Sequence, residues 1–572
     1  MPVHNAEIAA MLDQTGELLE IRGDNPFRAR AYRRAARVVQ GLARSVPAMI
    51  AAGEDLDDLP GIGEDLAGKI VDIARTGHFA LLDQLKAELP GELGEIAALP
   101  GIGPKRLKQF YDRLGIRSLS DLRRCAAAGR LRELKGFGAK SQAKLVAALE
   151  KAQLPRRFRI AVAEAEADAV VGWLRGGMIG GEITVAGSFR RRRETVGDLD
   201  ILVASDEGKA IGDRLAAYEN VAGILAHGPT RTTVMLRSGL QVDLRVVEPK
   251  SYGAALMYFT GSKAHNVALR GMASRRGWKL NEYGLFDKQN QRLAGATEAR
   301  VYDKLGMPLI PPELREDRGE IHAALHKRLP KLVALADIRG DLHVHSNWTD
   351  GTKPIGVMAD AARARSYEYM ALTDHSRHVT IAHGLDSDHL ARQIDEVDRL
   401  NATFEVFTVL KGVEVDILAD GKLDLPDTLL ERLDLVVAAV HYKFDLSVAA
   451  QTERIIRAMD NRHVSIIAHP TGRLLGQREA YAIDMERLIA AAAERGCHLE
   501  INAEPDRLDL SDEHARAAKM AGVMVAISTD AHAAAALDFM RFGVDQARRG
   551  WLEKADVLNT RPLSQLRKLL KR

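Results

Sequence analysis

The spacing of apolar and polar residues divides the chain into three regions of different secondary structure. Up to about residue 157, apolar positions recur at helical spacing, as in GPKRLKQFYDRLG. From Phe158 the pattern is mixed, with strand-like runs EITVAG, DLDILVA and LQVDLRVV, and the residues after Tyr252 are predicted to be helical and then loop-rich. Beyond HKRLPKLVALADIRG, seven strand-like runs alternate with helices, and this order predicts a β/α barrel.

The length of 572 residues is too great for one hydrophobic core and predicts several domains. The predicted boundaries are 1–82 and 83–155 for two helical modules, 156–250 and 251–320 for two middle modules, 321–336 for a linker and 337–572 for the barrel. No apolar run approaches the roughly twenty residues that cross a membrane, and the first residues lack the order of a secretory signal. We therefore expect a soluble, cytoplasmic protein without a membrane partner, and a monomer, because no heptad seam stands out.

Charge and histidine are unevenly distributed along the chain. The first 335 residues carry 51 Lys and Arg against 41 Asp and Glu, whereas the remainder carries 30 against 37. A basic front is typical of a nucleic-acid-binding protein. Twelve of the 18 histidines lie after residue 335, which directs the search for metal ligands to the barrel. Cys125 and Cys497 lie far apart in sequence without a Cys-x-x-Cys partner, so neither a disulfide framework nor a thiolate zinc site is expected.

A self-similar element occurs three times in the first 150 residues, as LPGIG, LPGIG and LKGFG, each followed by an amphipathic helical stretch. Glycines at a helix start allow a tight turn that presents backbone N–H groups to an anion such as a phosphate. A plain packing unit with glycine caps is the alternative for any single copy. The repeat resembles the helix-hairpin-helix motif, which binds the DNA backbone without reading bases. The predicted DNA-binding residues are Gly61, Gly63, Gly101, Gly103, Lys105, Arg106, Gly136, Gly138 and Lys140.

Three aspartates of the middle region form the first candidate site. Asp198 and Asp200 are two residues apart on a predicted strand, so both carboxylates point to one face, and Asp243 lies on another strand. Three buried carboxylates need compensating cations, and Mg²⁺ or Mn²⁺ with substrate phosphates suits an oxygen-only ligand set. Solvated aspartates on an edge strand are the alternative. The arrangement predicts two-metal phosphoryl transfer, with the turn Gly187–Ser188 and the run Arg190–Arg193 available for a triphosphate.

The segment GSFRRRRETVGDLDIL, followed by VDLR and YFTGSKAHNVALR, resembles the family X DNA polymerases, the group that includes polymerase beta. Gly-Ser with Asp-x-Asp is shared with other nucleotidyltransferases such as CCA-adding enzymes, and YFTGS narrows the resemblance. It implies a nucleotidyltransferase palm at 156–250 and a nucleotide-selection domain at 251–320. It also implies that Asp198 and Asp200 bind both metal ions, and that Asp243 binds the catalytic ion and helps to activate the primer 3′-hydroxyl.

The same resemblance implies a set of contacts with a deoxynucleoside triphosphate. Ser188 and Arg191 would hold its triphosphate, Tyr258 and Phe259 would pack against its sugar, and Asn266 and Arg270 would face the minor-groove side of the new base pair, with Gly261 also in the nucleotide site. Lys263 stands where polymerase beta has an acidic residue.

The N-terminal segments NPFRARAYRRAARVV and LPGIGEDLAGKIVDI resemble the small lyase domain of the same family. This resemblance places Lys69 where that domain has its Schiff-base lysine, and a helix-surface lysine without catalytic function is the alternative. Four residues before Lys69 the chain has Asp65 where the lyase domain has a basic residue.

The ends of the predicted barrel strands carry the second candidate site. Reading them in order gives His343, His345, Asp350, His375, Glu414, His441, His469, Asp530 and His532. A tetrahedral zinc ion takes about four ligands, so nine candidates predict two or three ions, and imidazole with carboxylate suits Zn²⁺, Mn²⁺ or Fe²⁺. Clustered ions that share a water favour phosphoester hydrolysis. His378, His383, His389 and His463 lack this position and are expected to be ordinary core or surface residues.

The motifs DLHVHSNWTDG, LTDHS, GVEVDI, AVHYKF, AHPTG and STDAH resemble the polymerase and histidinol phosphatase (PHP) domain. The expected fold class is therefore a multidomain chain with helix-hairpin-helix N-terminal domains, an α/β nucleotidyltransferase palm and a C-terminal distorted (β/α)₇ barrel. The order is that of bacterial family X polymerases, which implies binding to the nucleoid.

The predicted function is template-directed filling of short gaps in DNA repair, with gapped or primed duplex DNA and deoxynucleoside triphosphates as partners. The PHP resemblance implies Mn²⁺-dependent 3′–5′ exonuclease activity, with 3′-phosphatase or abasic-site endonuclease activity as further options. Two alternatives are an end-processing nuclease in which the polymerase half mainly positions DNA, and a non-catalytic DNA-binding scaffold.

Overall fold

The computed structural model describes residues 5–22, 24–40, 46–59, 62–88, 96, 102, 104–116, 118–134, 138, 142, 145, 157–177 and 181–571. Contacts divide the chain into two compact units, Met1–Arg156 and Arg157–Arg572, and each is described by itself. Among the described residues, no helix is both long enough and apolar enough to span a bilayer.

The first unit is helical. Its described helices are α1 Asn5–Arg22, α2 Pro26–Gln40, α3 Val46–Ala51, α4 Glu64–Thr76, α5 Ala80–Glu88, α6 Pro104–Leu114 and α7 Leu119–Ala127. They pack around one apolar cluster that includes Leu12, Ile70 and Phe110. Helix α4 begins directly after Gly63, whose backbone is extended, and α6 begins directly after the second LPGIG sequence, as the repeat predicts.

The second unit begins with the palm, a five-stranded mixed sheet with helices packed against it. Its strands are β2 Ile183–Val185, β4 Asp198–Ala204, β5 Val221–His227, β6 Arg231–Leu236 and β7 Gln241–Val247, in the order β2-β4-β7-β6-β5. Strand β4 runs parallel to β7, and the other neighbours are antiparallel. A separate pair joins β1 Phe158–Arg159 to β3 Thr195–Val196. The palm helices are α8 Ile160–Arg175, α9 Gly187–Arg190 and α10 Gly208–Ala216.

The nucleotide-selection module combines helices with a small antiparallel sheet. Its helices are α11 Tyr252–Thr260, α12 Lys263–Arg275, α13 Glu298–Lys304 and α14 Glu320–Leu325, and its strands are β8 Lys279–Asn281, β9 Gly284–Phe286 and β10 Arg292–Ala294. Helix α14 lies where the linker 321–336 was predicted, and Val333 is already part of the barrel core, so this junction is packed.

The rear module contains two parallel sheets that are joined into a barrel. Its strands are β11 Gly340–Val344, β12 Tyr369–Leu372, β13 Thr408–Lys411, β14 Glu414–Asp416, β15 Val437–Ala439, β16 Ile466–Ile467, β17 His498–Asn502 and β18 Val525–Ser528. Only two residues separate β13 from β14, and isolated parallel bridges, Val344 with Ala531 and His375 with Glu414, connect the two sheets. The two segments therefore form one interrupted strand, and the predicted seven-stranded, distorted β/α barrel is confirmed.

Eight helices accompany the barrel strands. They are α15 Ile355–Ala364, α16 Ser387–Asn401, α17 Asp427–Leu430, α18 Val448–Met459, α19 Met485–Arg495, α20 Asp512–Met520, α21 Met540–Arg549 and α22 Leu563–Leu570.

The palm and the barrel share a hydrophobic core. Leu508 and Phe542 of the barrel are both 2% exposed and belong to the same buried cluster as the palm residues Leu199, Val234 and Leu244. Burial of this kind contributes on the order of 2 kcal/mol for each large side chain, so the barrel packs against the palm as part of its core.

Candidate active sites

The pairing of two palm strands brings the three predicted aspartates together. Asp198 and Asp200 lie on β4, and in the parallel register with β7 Asp200 pairs with Asp243. The alternation of side chains along a strand places Asp198 and Asp200 on the same face, as predicted. The structure therefore assembles one carboxylate cluster from two neighbouring strands.

Asp243 is held by neutral and charged donors. Thr233 Oγ1 donates to Asp243 Oδ1 at 2.6 Å, Arg231 Nη2 donates to the same oxygen at 3.1 Å, and Gln241 Nε2 donates to Oδ2 at 2.6 Å. Burial opposes ionisation, but these bonds outweigh it and hold the pKa of Asp243 below its ordinary value. Asp243 is thus a fixed anion.

The pKa values of the other two carboxyl groups, Asp198 and Asp200, are shifted in the opposite direction. Burial and the charges of Asp198 and Asp243 raise the pKa of Asp200 to about 7, and burial with repulsion from Asp243 raises the pKa of Asp198. Negative charge is therefore in excess at this point. An oxygen-only ligand set with uncompensated charge fits Mg²⁺ or Mn²⁺.

Gly187 allows the turn before helix α9 to approach the carboxylates. Its φ of 62° lies in the left-handed region, and a Cβ at this position would stand 2.3 Å from Asp200 Oδ2. Any side chain here would displace the carboxylate. The turn places Ser188 at the wall of a cavity of about 470 Å³ beside Asp198 and Asp200.

That cavity collects the predicted nucleotide contacts. Its lining consists of Gly187, Ser188, Arg191, Asp198, Asp200, Tyr258, Phe259, Gly261, Lys263, Asn266, Val267 and Arg270. Asn266 is fixed by donation from Nδ2 to the carbonyl of Tyr258 at 2.6 Å, while its buried Oδ1 accepts no hydrogen bond within the described residues. A group aimed in this way is suited to a ligand donor.

The arginine run beside this cavity is divided among different partners. Arg190 donates to both carboxylate oxygens of Glu298, and Arg192 pairs with Glu164 and with Asp545 of the barrel. Arg191 lines the cavity. Carboxylates bind the guanidinium groups of Arg190 and Arg192, and Arg191 also pairs with Glu316. A role of the run Arg190–Arg193 in triphosphate binding stays a prediction, and the position of Arg191 in the cavity wall supports it for that residue.

Five of the nine predicted barrel ligands surround another of them, Glu414. This fully buried carboxylate lies 2.7 Å from His375 Nδ1, 3.2 Å from His441 Nε2 and 3.0 Å from His469 Nε2. It also lies within 3.7 Å of His343 and His345. Five histidines from four different strand ends thus converge on one carboxylate.

Distances within the cluster define three potential metal positions. Ligand atoms lie within 4.8 Å of one another in three groups, His345 with Asp350, His375 and His532, His343 with His345 and Asp530, and His375 with Glu414 and His441. His469 lies outside these groups but contacts Glu414. His343 Nε2, His345 Nε2 and His469 Nδ1 are buried without a hydrogen-bond partner in the described part of the chain. Buried imidazole nitrogens of this kind fit metal coordination.

The raised pKa values of two histidines in the cluster also fit metal binding. Burial lowers the pKa of His375, but the carboxylates of Glu414 and Asp350 more than reverse this and raise it to about 10. The pKa of His532 rises to about 9, because hydrogen bonding to Asp350 and the charge of Asp530 outweigh burial. These protons occupy positions that divalent cations would take, since metal ligation requires neutral imidazole.

Two carboxylates that the sequence reading did not select orient the histidines. Glu500 Oε1 lies 2.8 Å from His343 Nδ1, and Asp416 Oδ1 lies 3.2 Å from His441 Nδ1. Both acids are buried. A carboxylate behind a ligating histidine fixes its tautomer and ring orientation. Their signal in the sequence was a charged residue inside an apolar strand, in CHLEIN and two residues after Glu414 in GVEVDI.

Arg507 is a third residue that the sequence patterns did not single out. Its Nε lies 3.6 Å from Asp530 Oδ2, and its side chain is one-fifth exposed. The loop that carries it follows β17 and leads to Leu508 in the palm core. A guanidinium beside a metal-binding cluster is suited to an anionic substrate. His378, His383, His389 and His463 belong to none of the three metal groups found among the described residues.

The helical unit contains the predicted DNA-binding residues and Lys69. Gly61, Gly101, Gly103, Gly136 and Lys140 lie outside the described residues, and the side chain of Lys105 is not described either. Gly63 and Gly138 are exposed, and Arg106 is half-buried on helix α6.

Lys69 is bound by an acidic neighbour. Its amine donates to Asp65, and it lies 5.7 Å from the centre of the Tyr32 ring. Burial lowers the pKa of Lys69, but hydrogen bonds to Asp65 and Tyr32 raise it above its ordinary value overall. Schiff-base formation needs a neutral amine, so this environment opposes it.

Comparisons with protein families match four parts of the chain. Residues 3–79 match a helix-hairpin-helix domain, residues 93–151 match a SAM-like helix-hairpin-helix tandem, residues 255–316 match the DNA polymerase beta thumb and residues 341–521 match the PHP domain.

Comparisons with whole proteins find relatives for the complete chain and for parts of it. It is 38% identical over 574 residues to the DNA polymerase/3′-5′ exonuclease PolX of Bacillus subtilis, and the match covers 100% of both chains. DNA polymerase lambda of Rattus norvegicus is 25% identical over 342 residues, which cover 55% of this chain and 56% of that protein. A probable phosphatase of Thermoanaerobacter sp. strain X514 is 37% identical over 134 residues, which cover 22% of this chain and 52% of the phosphatase.

Proposed function

Because the chain belongs to the PolX family of DNA polymerases with a 3′-5′ exonuclease, we propose that its two sites perform these reactions separately. The palm triad transfers nucleotides to a primer, and the barrel cluster hydrolyses 3′-terminal phosphodiesters. The observation that carries the palm assignment is the pairing of Asp200 with Asp243 beside the cavity that Ser188 and Arg191 line. The barrel assignment rests on the clustering of the nine ligands, with Glu414 in contact with five histidines.

In the palm, the residues of the chain bind and orient the substrate. Asp198, Asp200 and Asp243 would hold Mg²⁺ or Mn²⁺, which would neutralise charge at the reacting phosphate and acidify the primer hydroxyl. Arg191 and the Ser188 hydroxyl bind the triphosphate. Tyr258 and Phe259, in edge-to-face contact at 5.2 Å between ring centres, form the wall against the sugar.

On the template side of the same cavity, Asn266 and Arg270 face the minor-groove edge of the new pair, with Gly261 at the turn between helices α11 and α12. The unpartnered Oδ1 of Asn266 is the acceptor that supports this role.

In the barrel, the nine residues would hold two or three ions of Zn²⁺, Mn²⁺ or Fe²⁺, which would activate water at neutral pH. Glu500 and Asp416 keep His343 and His441 in the ligating orientation. Arg507 binds the phosphate of the 3′-terminal nucleotide. A 3′-phosphate is the simplest alternative substrate, and the similarity to a probable phosphatase favours it over an abasic site.

The cellular task that fits both reactions is the filling of short gaps whose 3′ ends are first trimmed. The helix-hairpin-helix modules hold the duplex through backbone phosphates, so binding shows little sequence preference and weakens steeply with salt. Lyase activity at Lys69 stays a prediction. Borohydride trapping on an abasic substrate tests it, and the pairing with Asp65 leads us to expect little adduct.

The two sites can be separated with end-labelled gapped duplex, incubated with Mn²⁺ with and without deoxynucleotides. We expect Asp200→Ala to lose extension and keep degradation, and His343→Ala to lose degradation and keep extension. Loss of both reactions in each variant would mean that the sites are not independent. Unchanged reactions in both variants would contradict the residue assignments.

A further inference from the structure

The nucleotide cavity of the palm is joined to the barrel by a chain of charged side chains. This interface network consists of Arg191, Glu316, Arg549, Asp512 and Arg318. Arg191 belongs to the palm, Glu316 and Arg318 belong to the nucleotide-selection module, and Asp512 and Arg549 belong to the barrel. All five lie within the second compact unit.

Arg549 is the central cation of this network. It is the last residue of helix α21 and is 2% exposed. Its Nη1 donates to the backbone carbonyl of Arg191 at 2.7 Å and to Glu316 Oε1 at 3.1 Å, and its Nη2 donates to Asp512 Oδ2 at 2.6 Å. A planar guanidinium with three fixed acceptors holds them in one geometry.

The first two acceptors both control the placement of Arg191. Arg191 Nε donates to the same Glu316 Oε1 at 3.1 Å, and its Nη1 donates to the carbonyl of Thr260 at 2.6 Å. Arg549 therefore fixes the Arg191 backbone directly and the Arg191 side chain through Glu316. Arg549 does not hold Arg190 and Arg192 in this way, because their guanidinium groups pair with Glu298 and Glu164.

The charges of the network leave Arg191 able to bind an anion. One carboxylate, Glu316, serves Arg191 and Arg549 and lies 3.7 Å from Arg193. The positive charge around Glu316 is therefore in excess. An arginine that is held in place but only partly neutralised is suited to a triphosphate.

We propose that Arg549 of the barrel is a positioning residue for nucleotide binding in the palm. It acts through Arg191 and Glu316 and touches neither the nucleotide nor the primer. The inference rests on the proposed role of Arg191 in binding the triphosphate. It makes the barrel a part of the polymerase site in addition to its own hydrolytic reaction.

The test is steady-state filling of a one-nucleotide gap by the full-length chain, with KM for the deoxynucleotide and kcat measured separately. Arg549→Met is expected to raise KM about tenfold and to leave kcat within about threefold, because substrate placement is lost while the triad is intact. Arg549→Lys, which keeps the charge but not the planar fork, should fall between Met and wild type.

Arg548→Met is the matched control, because Arg548 is the neighbouring residue of the same helix. Its Nε donates to Glu313, and its Nη1 donates to the carbonyl of Val333, so it joins the same modules without contacting Arg191 or Glu316. This variant should keep KM within about twofold of wild type even where the melting temperature falls. Equal increases in KM for Arg548→Met and Arg549→Met would overturn the proposal and indicate a general packing effect.

A double variant separates positioning from the role of Arg191 itself. Arg191→Met should raise KM, and adding Arg549→Met in that background should change KM by less than about twofold, since both substitutions remove the same interaction. Additive effects would contradict positioning through Arg191. If Arg191→Met leaves KM unchanged, the triphosphate assignment fails, whatever Arg549→Met does. The 3′-end degradation of every variant reports whether its barrel is folded.

Discussion

The two candidate metal-binding clusters of this chain differ in how completely the protein builds them. In the barrel, nine side chains form one cluster in which five histidines contact the buried Glu414, and further carboxylates orient two of the histidines. In the palm, three carboxylates lie on two neighbouring strands beside an open cavity, and only Asp243 is fixed by several donors. The protein alone assembles the barrel cluster, whereas the palm cluster is open towards the cavity, where we propose that oxygen atoms of the nucleotide and primer complete the metal coordination. A site that completes itself with substrate can bind metal and substrate together, which suits a reaction that must wait for the correct nucleotide.

Substitution of the central carboxylate should separate the two clusters most strongly. Glu414→Gln keeps the volume but removes the charge that faces five histidines, so we expect a loss of roughly 10³-fold in 3′-end degradation with extension unchanged. Labelled primer in Mn²⁺ measures both reactions in one preparation. Glu431→Gln is the control, because Glu431 pairs with Arg462 on the exposed surface of the same module. Degradation within tenfold of wild type would show that the barrel centre does not depend on Glu414.

The orienting groups should matter more in the barrel than in the palm. Glu500→Gln removes the acid behind His343, and we expect metal affinity to fall roughly 10- to 100-fold. The corresponding palm change, Thr233→Val, removes one donor to Asp243 and leaves those from Gln241 and Arg231, so a smaller effect is expected. Calorimetric titration with Mn²⁺ compares the two variants. Equal losses of affinity would contradict the distinction between a preformed and an open site.

The raised pKa of Asp200 should make Mn²⁺ binding at the palm depend on pH, and this effect is smaller than the two above. Because its pKa is raised to about 7, the carboxyl is protonated below that pH and a metal ion must displace the proton. For one such proton, Mn²⁺ affinity at the palm should be about tenfold weaker at pH 6 than at pH 8. This Mn²⁺ affinity is measured in the Glu414→Gln variant, in which Mn²⁺ binding at the barrel is expected to be weaker and to contribute less to the signal. Asp200→Asn should bind weakly with little pH dependence between these values, and a persistent tenfold change there would assign the proton to another group.

Local patterns were sufficient to predict which residues come together at both sites. The two-residue spacing of Asp198 and Asp200 and the positions of the barrel ligands at strand ends follow from strand periodicity, and the structure has them so. Glu500 and Asp416 were missed because a charged residue in a strand has no distinctive spacing. Their function depends on the histidine that each one faces in space.

Interactions between modules could not be predicted from the sequence. Four consecutive arginines look equivalent in RRRR, yet Arg190, Arg191 and Arg192 have different partners, of which Asp545 is more than 350 residues away in sequence. Nothing in the pattern near Arg549 relates it to Arg191. Such pairs depend on how folded modules pack, which local periodicity does not determine.

The two apolar side chains that the barrel contributes to the palm core limit how this protein could have exchanged parts during evolution. Recombination that replaced the barrel with a free-standing phosphatase would leave cavities in the palm core where Leu508 and Phe542 now pack, unless the incoming domain carried side chains of similar volume there. A cavity of this size lowers the free energy of unfolding by about 2–5 kcal/mol, a large fraction of the stability of an ordinary domain. Exchange of the barrel alone would therefore destabilise the palm, and we expect the two modules to be inherited together.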